Sequence, residues 1–145
     1  MIRIYAVLGL LLASSTALGA DSKSYILPAR KGAQLLQQCS RETPQHVTSF
    51  FTPNAAQISE LEARLGSHLV GARRSINFQQ YSRQYVGFIK DGKQYIYGNF
   101  FKREPESAHA ASVPVVMCDG GDDYWGIVYS LESKTFADIR FNGLA

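Results

Sequence analysis

Long runs of any one kind are scarce in this 145-residue sequence, and each absence excludes something. The longest basic runs are Arg30-Lys31 and Arg73-Arg74, and the formal net charge is only +3, so no nucleic-acid partner is expected. Histidine is limited to His46, His68 and His109, far apart and without a His-x-x-x-His pair, which removes the usual zinc spacing. No metal and no cofactor is expected. The one unbroken apolar run, Ala6 to Leu12 with its flanks, is about ten residues, short of the roughly twenty that span a bilayer. No membrane anchor is therefore expected. No internal repeat or low-complexity segment is present, and cysteine is limited to Cys39 and Cys118.

What is there begins with an export signal. Arg3 supplies a short positive start, the apolar run follows, and Ser14, Ser15 and Thr16 lead into Ala17-Leu18-Gly19, with small residues at the two positions a signal peptidase inspects. Cleavage is expected after Gly19 or after Ala20, and no cysteine stands there to take a lipid. Residues 1–19 are thus read as a signal peptide and residues 20–145 as a single periplasmic or secreted domain. In an oxidising compartment the only two cysteines most simply form one disulfide, Cys39 to Cys118, tying the N-terminal half to the C-terminal half.

The sequence changes character near residue 75. Before it the apolar spacing is helical. Ala33, Leu36 and Cys39 mark a short helix after Pro28. A longer helix follows, with Thr52 as cap, Pro53 at its first position, and Ile58, Leu61, Leu65 and Leu69 on one face. Glu60, Glu62 and Arg64 fall on the other face. After residue 75 aromatic and branched residues dominate, punctuated by Gly, Asp and Lys, as in strands.

The clearest local feature is a hairpin turning at Asp91-Gly92, since both central positions of a two-residue turn need positive φ. That turn sets the register: Lys90 opposes Lys93, Phe88 Tyr95, Val86 Tyr97 and Gln84 Asn99 on one face. On the other, Gly87 opposes Ile96 and Tyr85 opposes Gly98. The glycine-bearing face is expected to pack under a helix or an aromatic ring. The face carrying Gln84, Phe88, Tyr95, Tyr97 and Asn99 mixes rings with amides and is expected to be half-wet, which makes it the candidate binding face. Lys102 to Ser112 reads as a loop. Strands are then expected at Val113–Cys118, Tyr124–Leu131 and Thr135–Phe141. The expected fold class is α+β, with two N-terminal helices packed on a C-terminal antiparallel β-sheet of about five strands.

The stretches RQYVGFIKDGKQYIYGNFF, FFTPNAAQISELEARL and VVMCDGGDDYWGIVYSLESKTFADIRFNG resemble a group of small exported bacterial proteins of unknown function. The resemblance implies export and a single domain, and it implies no activity, cofactor or catalytic residue. The order of helix before sheet is also similar to that of cystatin-like domains, an analogy of fold alone.

Asp119, Asp122 and Asp123, beside Cys118 and the only tryptophan, form a candidate acidic loop. They lack the alternating order and closing Glu of a calcium loop, so Gly120-Gly121 and the aspartates read as a sharp turn. Tyr81, Tyr85, Tyr95 and Tyr97 suggest a stacking platform, with ordinary sheet packing as the competing reading. Three functions remain in view. The first is a non-enzymatic binding or inhibitor module for an envelope protein or small ligand. The second is a hydrolase using Cys118 or the three aspartates. The third is a structural accessory of an envelope complex.

Overall fold

Ile58, Leu61, Leu65 and Leu69, spaced by three and four, all lie buried on one side of a 16-residue helix, as their periodicity requires. The structure is a computed structural model and describes residues 23–71, 75–104 and 109–144. The expected signal peptide at residues 1–19 and the Arg73-Arg74 pair lie outside the described residues. In chain order the elements are β1 (Ser24–Ile26), α1 (Gly32–Leu35), β2 (Ser49–Phe51), α2 (Ala55–Val70), β3 (Ser82–Lys90), β4 (Lys93–Phe101), β5 (Tyr124–Ser130) and β6 (Arg140–Phe141).

The fold is α+β, but the sheet is mixed. β3, β4, β5 and β6 run antiparallel in sequence order, whereas β1 joins β3 in parallel. β1 and β2 sit end to end on the same edge of β3, β1 opposite Arg83 to Tyr85 and β2 opposite Gly87 to Ile89. The helices do not form an N-terminal block either, because β1 precedes both and β2 separates them. Strands of three residues carry too little alternation to be recognised in sequence.

The hairpin has the expected register throughout, from Lys90 opposite Lys93 to Gln84 opposite Asn99, with Asp91 at φ 51° and Gly92 at φ 72°. Its glycine-bearing face packs as anticipated. The Phe51 ring lies over Gly87, and the Tyr85 and Phe100 rings lie over Gly98, where a Cβ would stand only 2.4 Å and 2.7 Å from ring carbons. On this face Tyr85, Ile96, Phe100, Trp125, Ile127 and Tyr129 meet the apolar side of α2 in the main core. Phe100 and Trp125, directly opposed on β4 and β5, stack with centroids 3.7 Å apart.

α2 starts later than its sequence suggests. Asn54, not Thr52, is the cap: its side chain accepts from the Gln57 amide while the Gln57 side chain accepts from the Asn54 amide, each at 2.9 Å. Thr52 instead accepts from the Ala29 amide at 3.0 Å, joining the start of α2 to the approach to α1. Replacing Asn54 by alanine should lower stability by about 1 kcal/mol in a urea melt, and an unchanged midpoint would remove the cap from the account. Glu62 is likewise not a solvated face residue. One of its oxygens accepts from Ser24 Oγ, Arg83 Nε and Tyr85 Oη at 3.0, 2.9 and 2.9 Å, binding α2 to β1 and β3.

α1 is a single turn, and its buried positions are Gly32 and Leu35 rather than Ala33, Leu36 and Cys39. Leu35 joins Leu27, Val86, Phe88 and Tyr97 in a second core on the opposite face of the sheet. Both faces thus carry a core. No helix among the described residues is long and apolar enough to cross a membrane.

Candidate functional site

Val113–Cys118 is not a strand. The segment 109–119 crosses the sheet face that carries Gln84 and Asn99, and amide side chains hold its backbone where a strand ladder would otherwise do so. Gln84 donates to Ala110 O and Val113 O at 2.8 and 2.7 Å and accepts from the Val115 amide at 2.8 Å. Asn99 donates to Val115 O at 2.9 Å, and Asn142 donates to Met117 O and Asp119 O at 2.7 and 2.8 Å. Arg41, only 8 % exposed, orients two of these amides: its guanidinium donates to Asn99 Oδ1, to Asn142 Oδ1 and, at 3.1 Å, to Tyr97 Oη. A buried cation thus polarises two asparagines, which pass the effect to carbonyls of the crossing strap.

The half-wet binding face expected from the hairpin therefore does not exist as such. Gln84, Phe88, Tyr97 and Asn99 are all buried, and only Tyr95 of that set is partly exposed. The amides were aligned by strand register, and the strap that covers them comes from a segment with no local signal for that role. The tyrosine platform is excluded by the same register, since Tyr85 points to the α2 side while Tyr95 and Tyr97 occupy the other face. Tyr81 packs edge-on against Trp125 at 5.6 Å in the α2-side core.

Beyond the strap, one part of this face stays open. A groove of about 610 Å³ lies over β4 and β5, with Phe88, Tyr95, Tyr97, Gly126 and Val128 in its walls. Phe88 and Tyr95 stack with centroids 5.2 Å apart. Residues 42–45, Asp138 and Arg140 also line it. A smaller hollow of about 280 Å³ shares Tyr95, Val128 and Ala137 with it and extends the groove towards the turn after β5. Three of the five residues proposed from sequence as a binding face, Phe88, Tyr95 and Tyr97, thus meet in one cavity. Glu42, Asp138 and Arg140 were missed, because they come from segments remote from the hairpin in sequence and only the folded sheet brings them to it. Arg41 and Asn142 were missed for the same reason.

The acidic stretch is built as a turn. Gly120 and Gly121 take φ of 92° and 54°, conformations that side chains rarely adopt, and a single 3₁₀ turn covers Gly121–Asp123. The Asp123 carboxylate pairs with Lys102 at 2.9 Å, and the Asp119 and Asp122 carbonyls accept from Asn142 and from the Tyr81 hydroxyl. Among the described residues no three His, Cys, Asp or Glu side chains come together as a metal site. The Cys118 sulfur is bonded to that of Cys39, as the cysteine count implied, so it offers no thiol nucleophile to the hydrolase reading.

Burial pushes the Tyr97 hydroxyl above the ordinary phenol value of 10.0, against the opposing pull of Arg41, so it is a proton donor at neutral pH. Tyr85 is raised well above that value by burial first and by the Glu62 charge second. The folded state holds these protons more tightly than the unfolded chain does. Their contribution to stability is accordingly complete below about pH 10 and declines as the pH rises further. Urea midpoints should fall between about pH 8 and about pH 11, and less steeply in Tyr85→Phe; a midpoint independent of pH would contradict the burial of both phenols.

No protein-family model, curated protein or solved structure matches this chain.

Proposed function

We propose that the protein is a non-enzymatic binding or inhibitor module, exported to the periplasm or beyond, that takes its ligand in the groove beside Tyr95. The groove carries this reading. Its volume of about 610 Å³ is in the range of small-molecule sites, and its lining combines aromatic and apolar residues, Phe88, Tyr95, Tyr97 and Val128, with a few polar and charged ones. That size favours a small ligand, or one side chain of an envelope protein, over a flat protein interface. The disulfide supports an oxidising compartment, in keeping with the signal read at residues 1–19. The aspartates and Cys118 serve turn and bridge, which favours binding over catalysis.

Val128, half-buried in the groove wall, offers a direct test. Replacing it by arginine fills the groove from the sheet side, and because Val128 also packs against the second core the variant's fold is checked by its melting temperature. Native mass spectrometry of protein recovered from the periplasm should show a bound species that Val128→Arg loses while its melting temperature is kept. The same species on both forms would place the site elsewhere. Recovery of a periplasmic form starting at Ala20 or Asp21 is the expected result for export, and retention of residues 1–19 in the cytoplasm would contradict it.

A further inference from the structure

We propose that the groove takes an apolar carboxylic acid, its carboxylate accepting from the Tyr97 hydroxyl and the Arg140 guanidinium, with Arg41 supplying charge from behind. This rests on the groove being the binding site. Tyr97 is 2 % exposed, and its oxygen accepts from Arg41 Nε at 3.1 Å. A phenol also has one proton to donate, and among the described residues no acceptor takes it. The hydroxyl lies at the groove wall: a Cβ on Gly126, which lines the groove, would stand 2.4 Å from Tyr97 Oη. Glycine there makes room for the Tyr97 ring and hydroxyl beside the groove.

The charge behind that hydroxyl is unusual. Arg41 is buried, yet its three partners, Tyr97, Asn99 and Asn142, are neutral, and among the described residues no carboxylate pairs with it. A cation held away from water with no counter-ion attracts an anion strongly wherever one can approach. Through Tyr97 it also sharpens the O–H as a donor, because a hydroxyl that accepts from a cation gives its own proton more readily. An anionic acceptor at Tyr97 gains from both effects, whereas a neutral one gains only a hydrogen bond.

Arg140 is available to take the second oxygen. Its pairing with Glu42 is long, 3.6 Å, with the two side chains 53 % and 82 % exposed, a geometry that contributes little and is readily exchanged. The stacked Phe88 and Tyr95 rings with Val128 offer the surface for an apolar body. The edge also carries Glu42, Asp91 and Asp138 against Lys90 and Arg140, so no broad positive field surrounds the groove. Selection must then be local to Tyr97, which points to a single carboxylate and not to a polyanion.

Benzoate and benzyl alcohol, similar in size and different in charge, are the probes. Each is titrated into isotope-labelled residues 20–145 while the backbone signals of Tyr95, Gly126 and Val128 are followed. Benzoate should bind at least about fivefold more tightly, the margin a charged acceptor adds to one hydrogen bond. Tyr97→Phe keeps the ring and should abolish the preference. That variant also deprives Arg41 of an acceptor, so its fold is checked in the same spectra. Arg140→Gln, at the surface, should weaken benzoate and leave benzyl alcohol unchanged. Equal affinities for the two probes in the wild type, or a preference surviving both substitutions, would overturn the carboxylate inference and leave the groove reading standing. If neither probe moves these signals by about 10 mM, a level that a ligand of this size should reach, both fail. Benzoate shifts confined to Arg64, His68 and Lys134, which line a separate hollow, would also overturn both.

Discussion

Arg41→Ala is expected to lower the unfolding free energy by about 3–5 kcal/mol, the loss typical of removing one member of a buried charged network. Three acceptors, Tyr97 Oη, Asn99 Oδ1 and Asn142 Oδ1, would lose their donor in a place water reaches poorly. Each such loss costs about 1–3 kcal/mol, and the two asparagines would no longer be held in the orientation that binds Val115, Met117 and Asp119. One effect works in the opposite direction. Arg41 is a buried cation without a carboxylate, so its removal also relieves a desolvation penalty. Arg41→Met separates the two contributions, because it keeps most of the side-chain volume while removing the charge and the donors. We expect a loss of about 2 kcal/mol for methionine, smaller than for alanine. Arg41→Lys should rescue little, since one ammonium group cannot reach three acceptors placed around a planar fork. Urea unfolding of the three variants checks the series, and a cost under about 1 kcal/mol for alanine would show that the network does not hold the strap.

Reduction of the Cys39–Cys118 bridge should destabilise the protein by about 4 kcal/mol, lowering the melting temperature by roughly 15 °C. The bridge joins positions 79 residues apart, so its loss restores a large conformational freedom to the unfolded chain. Both cysteines are exposed, which gives a small dithiol direct access in the folded state. The local consequence is as informative as the global one. The strap has no strand ladder of its own and would then depend on Gln84, Asn99, Asn142 and Gln38 for its place on the sheet. Proteolysis after mild reduction should accordingly cut first between residues 109 and 119. Equal melting temperatures with and without dithiothreitol would dismiss the bridge as a staple. First cuts within the hairpin would locate the weak point elsewhere.

The features legible in sequence were those set by neighbours along the chain. Asp91-Gly92 determined every pair of the hairpin, because a two-residue turn leaves no freedom of register and side chains alternate strictly from there. The spacing of Ile58, Leu61, Leu65 and Leu69 determined the buried face of α2, and two cysteines allowed only one bridge. The α+β class, the glycine-bearing face under aromatic rings, and the turn at Gly120-Gly121 follow from the same local rules. Tertiary structure alone decided what covers the second face. Gln84 and Asn99 looked like the polar edge of an open surface, since a residue's type and register say which way it points and nothing of what will lie over it. They are buried because a segment 16 to 31 residues away in sequence brings its backbone polar groups to them, and a buried carbonyl or amide must find a partner. The parallel pairing of β1, the carboxylate of Glu62 under three donors, and the meeting of Arg41 with Tyr97 and Asn142 have the same origin. Each joins residues whose separation no periodicity records, so each was settled only when the sheet closed and left the groove beside Tyr95 uncovered.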